Sequence, residues 1–252
     1  MTALSSLKTD ASIADETDVL GGGGPLDSDA YPTKITMAYL SKSAGGALSL
    51  VLHLATETGS TIRQTLWMTS GDAKGNKNFY STKTGEKKYL PGFNLANSLA
   101  LLTAAKEISE IEPQQKVISV YNYDAKADVA TEMPVLVDLI DQEIVAGTMR
   151  QVVDKQAKGD DGQYHPTGET REENEVVKFF RARDLMTVTE IRAQAEAPEF
   201  HNSWVAKYKG VTRDLTSKDT NVTTGNFAAA ASAPKAPGNA AASAPKAQSI
   251  FS

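Results

Sequence analysis

The chain has no cysteine in its 252 residues. Disulfides, thiolate nucleophiles and cysteine-based zinc sites are therefore excluded. Histidine is nearly as scarce. His53, His165 and His201 lie far apart with no HxxxH or HxH spacing, and each reads as a core or surface residue rather than a metal ligand. No apolar run approaches the roughly 18–20 residues that a membrane-spanning helix needs. No basic segment followed by an apolar one opens the sequence, so the expectation is a soluble, cytoplasmic chain with no membrane partner. Catalytic signatures are missing too: GxxxxGK[ST], GxSxG, HExxH and GxGxxG do not occur. The acidic pairs Asp160-Asp161 and Glu172-Glu173 lie in or beside a glycine-bearing polar stretch, where such pairs are ordinarily just solvated. Nothing in the residues points to an enzyme, a metal or a cofactor.

An excess of positive charge is also lacking, since the net charge is −5. The charge is segregated, however, and the total misleads. Residues 1–30 carry Lys8 against Asp10, Asp15, Glu16, Asp18, Asp27 and Asp29, which accounts for the whole deficit. Residues 72–91 reverse the sign, with Lys74, Lys77, Lys83, Lys87 and Lys88 against Asp72 and Glu86. A local basic stripe can answer phosphates even on an acidic protein.

Three segments follow from composition. Residues 1–30 include Gly21-Gly22-Gly23-Gly24-Pro25, costly to order, and read as a flexible acidic arm. From Thr216 to Ser252 the chain is rich in Ala, Ser, Pro, Asn and Lys, with AASAPKA at 230–236 and again at 241–247, and reads as a disordered tail. Residues 31–215 are left as the folding domain.

Within that domain the pattern is strand-rich. Lys34–Leu40 alternates, which places Ile35, Met37 and Tyr39 on one face. Leu48, Leu50, Leu52 and Leu54 line the next strand, and Gly59-Ser60 turns the chain into a third over Thr61–Thr69. A long polar stretch, 70–91, precedes a helix in which Leu95, Leu99 and Leu102 share a face. Lys116–Tyr123 and Val135–Ile140 read as extended or partly extended, and Ile144–Asp154 with Glu175–Arg183 as a closing strand pair joined by a polar connection over 156–172. Thr187-Val188-Thr189-Glu190 is a capping box that starts a short helix running to about Ala195. Five or six antiparallel strands with an inserted helix and a short C-terminal helix fit an OB-type β-barrel, and split sheets or small sandwiches fit nearly as well.

One region carries chemistry. In the strand Thr61–Thr69, alternation sets Arg63, Thr65 and Trp67 on one face against Ile62, Leu66 and Met68 on the other. Phe79, Tyr80 and Tyr89 then interleave with the five lysines. Unpaired bases stack on exposed rings for about 1–3 kcal/mol each without demanding a sequence. Lysines beside them release counterions, which makes binding salt-dependent. The bland alternative is that Trp67, Phe79 and Tyr89 are core residues and the lysines only solubilise a loop.

Four stretches, taken together, resemble the single-stranded DNA-binding proteins of tailed bacteriophages. They are Arg63–Tyr89 running on through Leu90-Pro91-Gly92-Phe93-Asn94; Lys116–Tyr123 leading to Met133-Pro134-Val135-Leu136; Asp138–Ile144; and Glu172–Phe180 with the helix beyond Thr187. The resemblance spans roughly 35–200. It implies an OB-type fold and sequence-tolerant binding of single-stranded DNA in replication, recombination or repair, in the cytoplasm of a host cell. It implies no cofactor and no reaction.

The expected stacking residues are Trp67, Phe79, Tyr80 and Tyr89, and the expected phosphate contacts are Arg63, Lys74, Lys77, Lys83, Lys87 and Lys88. Tyr121, Tyr123, Arg150 and Arg181 form a second tier whose facing the sequence does not settle. Members of this family commonly end in an acidic tail with an aromatic tip that recruits replication or recombination proteins. Here Phe251 is present, but the last 26 residues hold Lys235 and Lys246 and no acid. The acidic arm at the other terminus is the candidate groove shield, and its removal should then tighten DNA binding. Two rival readings are a virion structural or assembly β-domain, which predicts a buried Trp67, and a metal-dependent nuclease accessory using Asp160, Asp161 and Glu172.

Overall fold

Alternating side chains build the first three strands, which pair as an antiparallel meander in the computed structural model; it describes residues 24–122, 125–159 and 164–217. Strand β1 (Asp29–Lys42) pairs with β2 (Leu48–Thr56), which pairs with β3 (Thr61–Trp67). Leu50, Leu52 and Leu54 of β2 and Ile62 and Leu66 of β3 enter the main core. The alternation read into β1 fails at one point. The β1–β2 register shifts between Ile35 and Met37, so Thr36 is an extra residue and the strand changes phase there. Ile35 stands opposite Leu54 and Leu40 opposite Leu50, whereas Met37 and Tyr39 stand opposite His53 and Val51. Ile35 thus enters the main core, while Met37 and Tyr39 join a separate cluster with Val51 and Val135.

Strand β1 is shared. Its first half, Asp29–Lys34, pairs with β8 (Glu143–Lys158), and Tyr39 farther along meets Val135 of β7 (Ala127–Val135). Strand β9 (Tyr164–Arg181) returns along β8, and the short β10 (Thr212–Asp214) lies parallel to Arg150–Val152 of β8. The ladder therefore runs β9–β8–β1–β2–β3 and stays open between β3 and β9. A side chain spans the gap: Val176 N–H of β9 donates to Gln64 Oε1 of β3 at 2.9 Å. Helix α1 (Pro91–Ala104) packs against both edge strands, burying Ala96, Leu99, Ala100, Leu101 and Leu102. The fold is mainly β, with an antiparallel sheet and the inserted helix where the periodicity places it.

Several boundaries differ from the sequence reading. The polar connection at 156–172 is mostly strand, because β8 and β9 continue as a solvated hairpin with Lys158 opposite Tyr164. Val135 ends β7, and Val137–Leu139 is a 3-10 turn rather than extended chain. The capping box at Thr187 starts α2 (Val188–Arg192), with Thr187 Oγ1 accepting from Glu190 N–H at 3.2 Å. A further helix, α3 (Glu199–Tyr208), was not foreseen. Its Trp204 is only 6% exposed and packs with Val145, Met149 and Phe180. Leu26 exchanges two backbone hydrogen bonds with the Asn174 amide, and the Ser28 hydroxyl donates to the Val211 carbonyl. Residues 26–30 thus belong to the fold rather than to an arm, and at the other end Thr216 is buried.

Candidate nucleic-acid interface

On β3 the alternation holds. Ile62 and Leu66 are buried, whereas Arg63, Thr65 and Trp67 are exposed, Trp67 by 46%. The strand lies at the sheet edge with no bulge in its pairing to β2, so period two carries through. His53, directly opposite Arg63, shares this outer face and sits edge-on to Tyr39 with ring centroids 6.4 Å apart. Sequence reasoning set His53 aside as a core or surface residue. Only the register, and the phase change at Thr36, bring it beside Arg63 and Tyr39. Burial pushes the His53 pKa below its ordinary value, and the nearby Arg63 guanidinium pushes it the same way. Its Nε2 is buried without a hydrogen-bond partner among the described residues.

The lysine-rich stretch is not an open loop. Asp72–Lys74 forms a 3-10 turn, and β4 (Phe79–Ser81) pairs with β5 (Lys87–Tyr89) as a separate two-stranded hairpin. Cross-strand pairing sets Phe79 opposite Tyr89 and Ser81 opposite Lys87, all on one face, with Tyr80 and Lys88 on the other. The Lys77 and Lys87 ammonium groups lie 5.8 and 5.1 Å from the Phe79 ring centroid, within cation–π range. Tyr89 is 55% exposed and stacks at 5.0 Å on Phe93 from the first turn of α1. The predicted residues therefore divide. Phe79, Tyr89, Lys77 and Lys87 form one cluster. Tyr80 and Lys88 face away from it, Lys88 pairing with Glu86 at 3.4 Å. Lys74 and Lys83 are exposed, on the 3-10 turn and in the hairpin turn.

Gly92 joins the two patches. A Cβ there would collide with the Trp67 carbonyl, so only glycine lets the start of α1 lie directly on the backbone of Trp67. Helix α1 then presents Phe93 to Tyr89 next to the end of β3. The rings and cations of residues 63–93 are thus carried on two paired elements and a helix start, six cations against Asp72 and Glu86.

The second tier fares differently. Arg150 is engaged at the surface, with its Nη1 on Asp27 at 2.9 Å and its Nη2 on Glu172 at 2.6 Å. Arg181 is only 12% exposed and grips Asp184, NH2 to Oδ2, at 2.6 Å. Both guanidiniums are thus engaged by carboxylates of the fold, whereas no carboxylate lies within ion-pair distance of Arg63 among the described residues. Tyr121 lies on the hairpin of β6 (Gln114–Asn122) and β7, opposite Asp128 and on the face away from Ile118 and Val120, which pack toward Tyr39. Tyr123, Asp160, Asp161, Phe251 and the acids of residues 1–23 lie outside the described residues. Glu172, the remaining member of the acidic set, is the Arg150 partner, and among the described residues no group of three or more His, Cys, Asp or Glu is placed to hold a metal. Among the same residues no helix is long and apolar enough to cross a membrane.

Compared with protein-family models, with curated proteins and with solved structures, the chain matches none.

Proposed function

We propose that this chain is a non-enzymatic, sequence-tolerant single-stranded DNA-binding protein of OB type, acting in phage DNA replication, recombination or repair in the host cytoplasm. The observation that carries the reading is the half-exposed Trp67 on an open sheet edge with Arg63, continuous through Gly92 with a hairpin that sets Lys77 and Lys87 over Phe79. Exposing a tryptophan forfeits hydrophobic stabilisation, and placing cations around bare rings is what stacking on unpaired bases with phosphate neutralisation requires. A duplex hides its base faces, so this combination favours single strands. What supports the OB-type reading is the five-strand path with a shared first strand, the helix between β3 and the later strands, and the approach of the two free edges at Gln64 and Val176.

The virion-module alternative expects a buried Trp67, and the exposure of that ring weighs against it. The deciding experiment is tryptophan fluorescence titrated with oligo-dT at low and then moderate salt, with matched duplex as control. Trp204 is buried, so quenching should come from Trp67 and vanish in Trp67→Phe. Absence of quenching together with no retention of single strands at low salt would overturn the proposal.

A further inference from the structure

A cleft of about 390 Å³ opens beside the hairpin, between the segment 68–78, the start of α1 and the 3-10 turn Ile108–Glu110. Its walls are apolar, formed by Leu40, Leu48, Met68, Phe93, Ile111 and Leu136. Two of its lining residues already belong to the basic aromatic cluster: Phe93 stacks on Tyr89, and Lys77 sits over Phe79. The cleft is therefore continuous with the surface along which a strand would run. Its polar lining is sparse and specific. The Asn76 amide is engaged, donating to Asp72 and accepting from Thr69. Asn78 also lines the cleft, and its side-chain amide, with one acceptor and two donors, makes no hydrogen bond among the described residues.

Resting on the single-strand reading above, we infer that this cleft receives one unstacked nucleobase from the bound strand, with Phe93 against its face, Asn78 on its polar edge and Lys77 on the adjoining phosphate. Three features select this occupant. Small-ligand pockets run from about 300 to 1,000 Å³, so the cleft has ample room for a base. An amide with both donor and acceptor matches the mixed edge of a base, whereas an aliphatic side chain would leave it unpaired. The cation at the mouth answers the backbone charge that every base brings with it. Splaying a base from a single strand costs far less than extracting it from a duplex, so the cleft adds a further bias toward single strands.

The test uses the full chain and two labelled oligonucleotides of equal length, oligo-dT and the same backbone with abasic sugars throughout, read by anisotropy. Ser109 lines the cleft, is exposed, and its side chain makes no hydrogen bond among the described residues, so Ser109→Trp fills the space without removing core atoms. The expected result is about a tenfold loss of oligo-dT affinity, the equivalent of one stacked base, with abasic binding unchanged. Asn78→Leu is the second variant, expected to weaken oligo-dT and spare the abasic strand in the same way. Unchanged oligo-dT affinity in both variants, or equal weakening of both oligonucleotides, overturns the inference while leaving the parent reading intact. Wild-type protein that retains neither oligonucleotide overturns the parent reading and the cleft with it. If truncation after Ser217 alone tightens oligo-dT binding and abolishes the Ser109→Trp effect, the occupant is the chain's own Ile250-Phe251 tip and the inference fails.

Discussion

Replacing Gln64 with Met isolates the one hydrogen bond that, among the described residues, ties the two free edges of the sheet together. Methionine keeps the chain length and fills the same space, but offers no amide oxygen to the Val176 N–H. Val176 is fully buried, so its amide would be left without either Gln64 or water. Losing a neutral hydrogen bond costs about 1 kcal/mol net, and orphaning a buried donor raises this to roughly 1–3 kcal/mol. We therefore expect Gln64→Met to lower stability by about 2 kcal/mol, which for a fold of this size is a fall of roughly 4–8 °C in Tm. Urea unfolding followed by the emission of the buried Trp204 measures the change directly, and an unaltered slope would show that the unfolded state is not its source. Amide exchange at Val176 supplies a local readout, since freeing β3 from β9 should speed it well beyond the change at Leu54 or Ala38. The same loosening would reach Arg63 and Trp67, which ride on the strand that Gln64 anchors. A loss below about 0.5 kcal/mol with unchanged Val176 exchange would refute the reasoning.

Charge removal should separate the two classes of cation. Arg63→Ala or Lys87→Ala should reduce the salt dependence of single-strand affinity by about one phosphate each, whereas Arg150→Ala should leave that slope alone and lower stability by freeing Asp27 and Glu172, as read from binding isotherms at several salt concentrations and from urea melts. His53 gives a pH test. Because its folded pKa lies below the unfolded value, the unfolded chain binds the proton first, and stability should fall as pH drops from about 6.5 to the folded pKa and level off below it. His53→Gln should flatten that window in thermal melts, and a wild-type slope in the variant would assign the effect elsewhere. Deleting residues 1–23 should tighten oligo-dT binding if the acidic arm shields the basic cluster; the cut stops short of Leu26 because residues 26–30 are fastened to Asn174, Val211 and β8. Unchanged affinity in the deletion would remove the arm from the mechanism.

The legible parts of this chain are those decided within a few residues. Alternation along β3 separated Arg63, Thr65 and Trp67 from Ile62 and Leu66 because an edge strand without a bulge keeps its period from end to end. The Thr187–Glu190 capping box located α2, and Leu95, Leu99 and Leu102 located α1, for the same local reason. A four-residue recurrence of Phe200, Trp204 and Tyr208 also lay in plain view, and it places α3 as readily as the leucines place α1.

What lay beyond the sequence was everything fixed by pairing across distance. One extra residue at Thr36 reverses the facing of Met37 and Tyr39, and nothing in the composition of β1 marks it, because a bulge exists only relative to the partner strand. Arg150 looked as free as Arg63 until the fold brought Asp27, 123 positions away in the chain, to its guanidinium. The continuity of Trp67 with Phe93 depends on the close approach of Gly92 to a strand that ended many residues earlier. The sequence by itself determined which residues are apolar, aromatic or charged and how they alternate within each element. Tertiary structure decided which charges stay unpaired and which rings stay in water, since both depend on neighbours that only folding brings together.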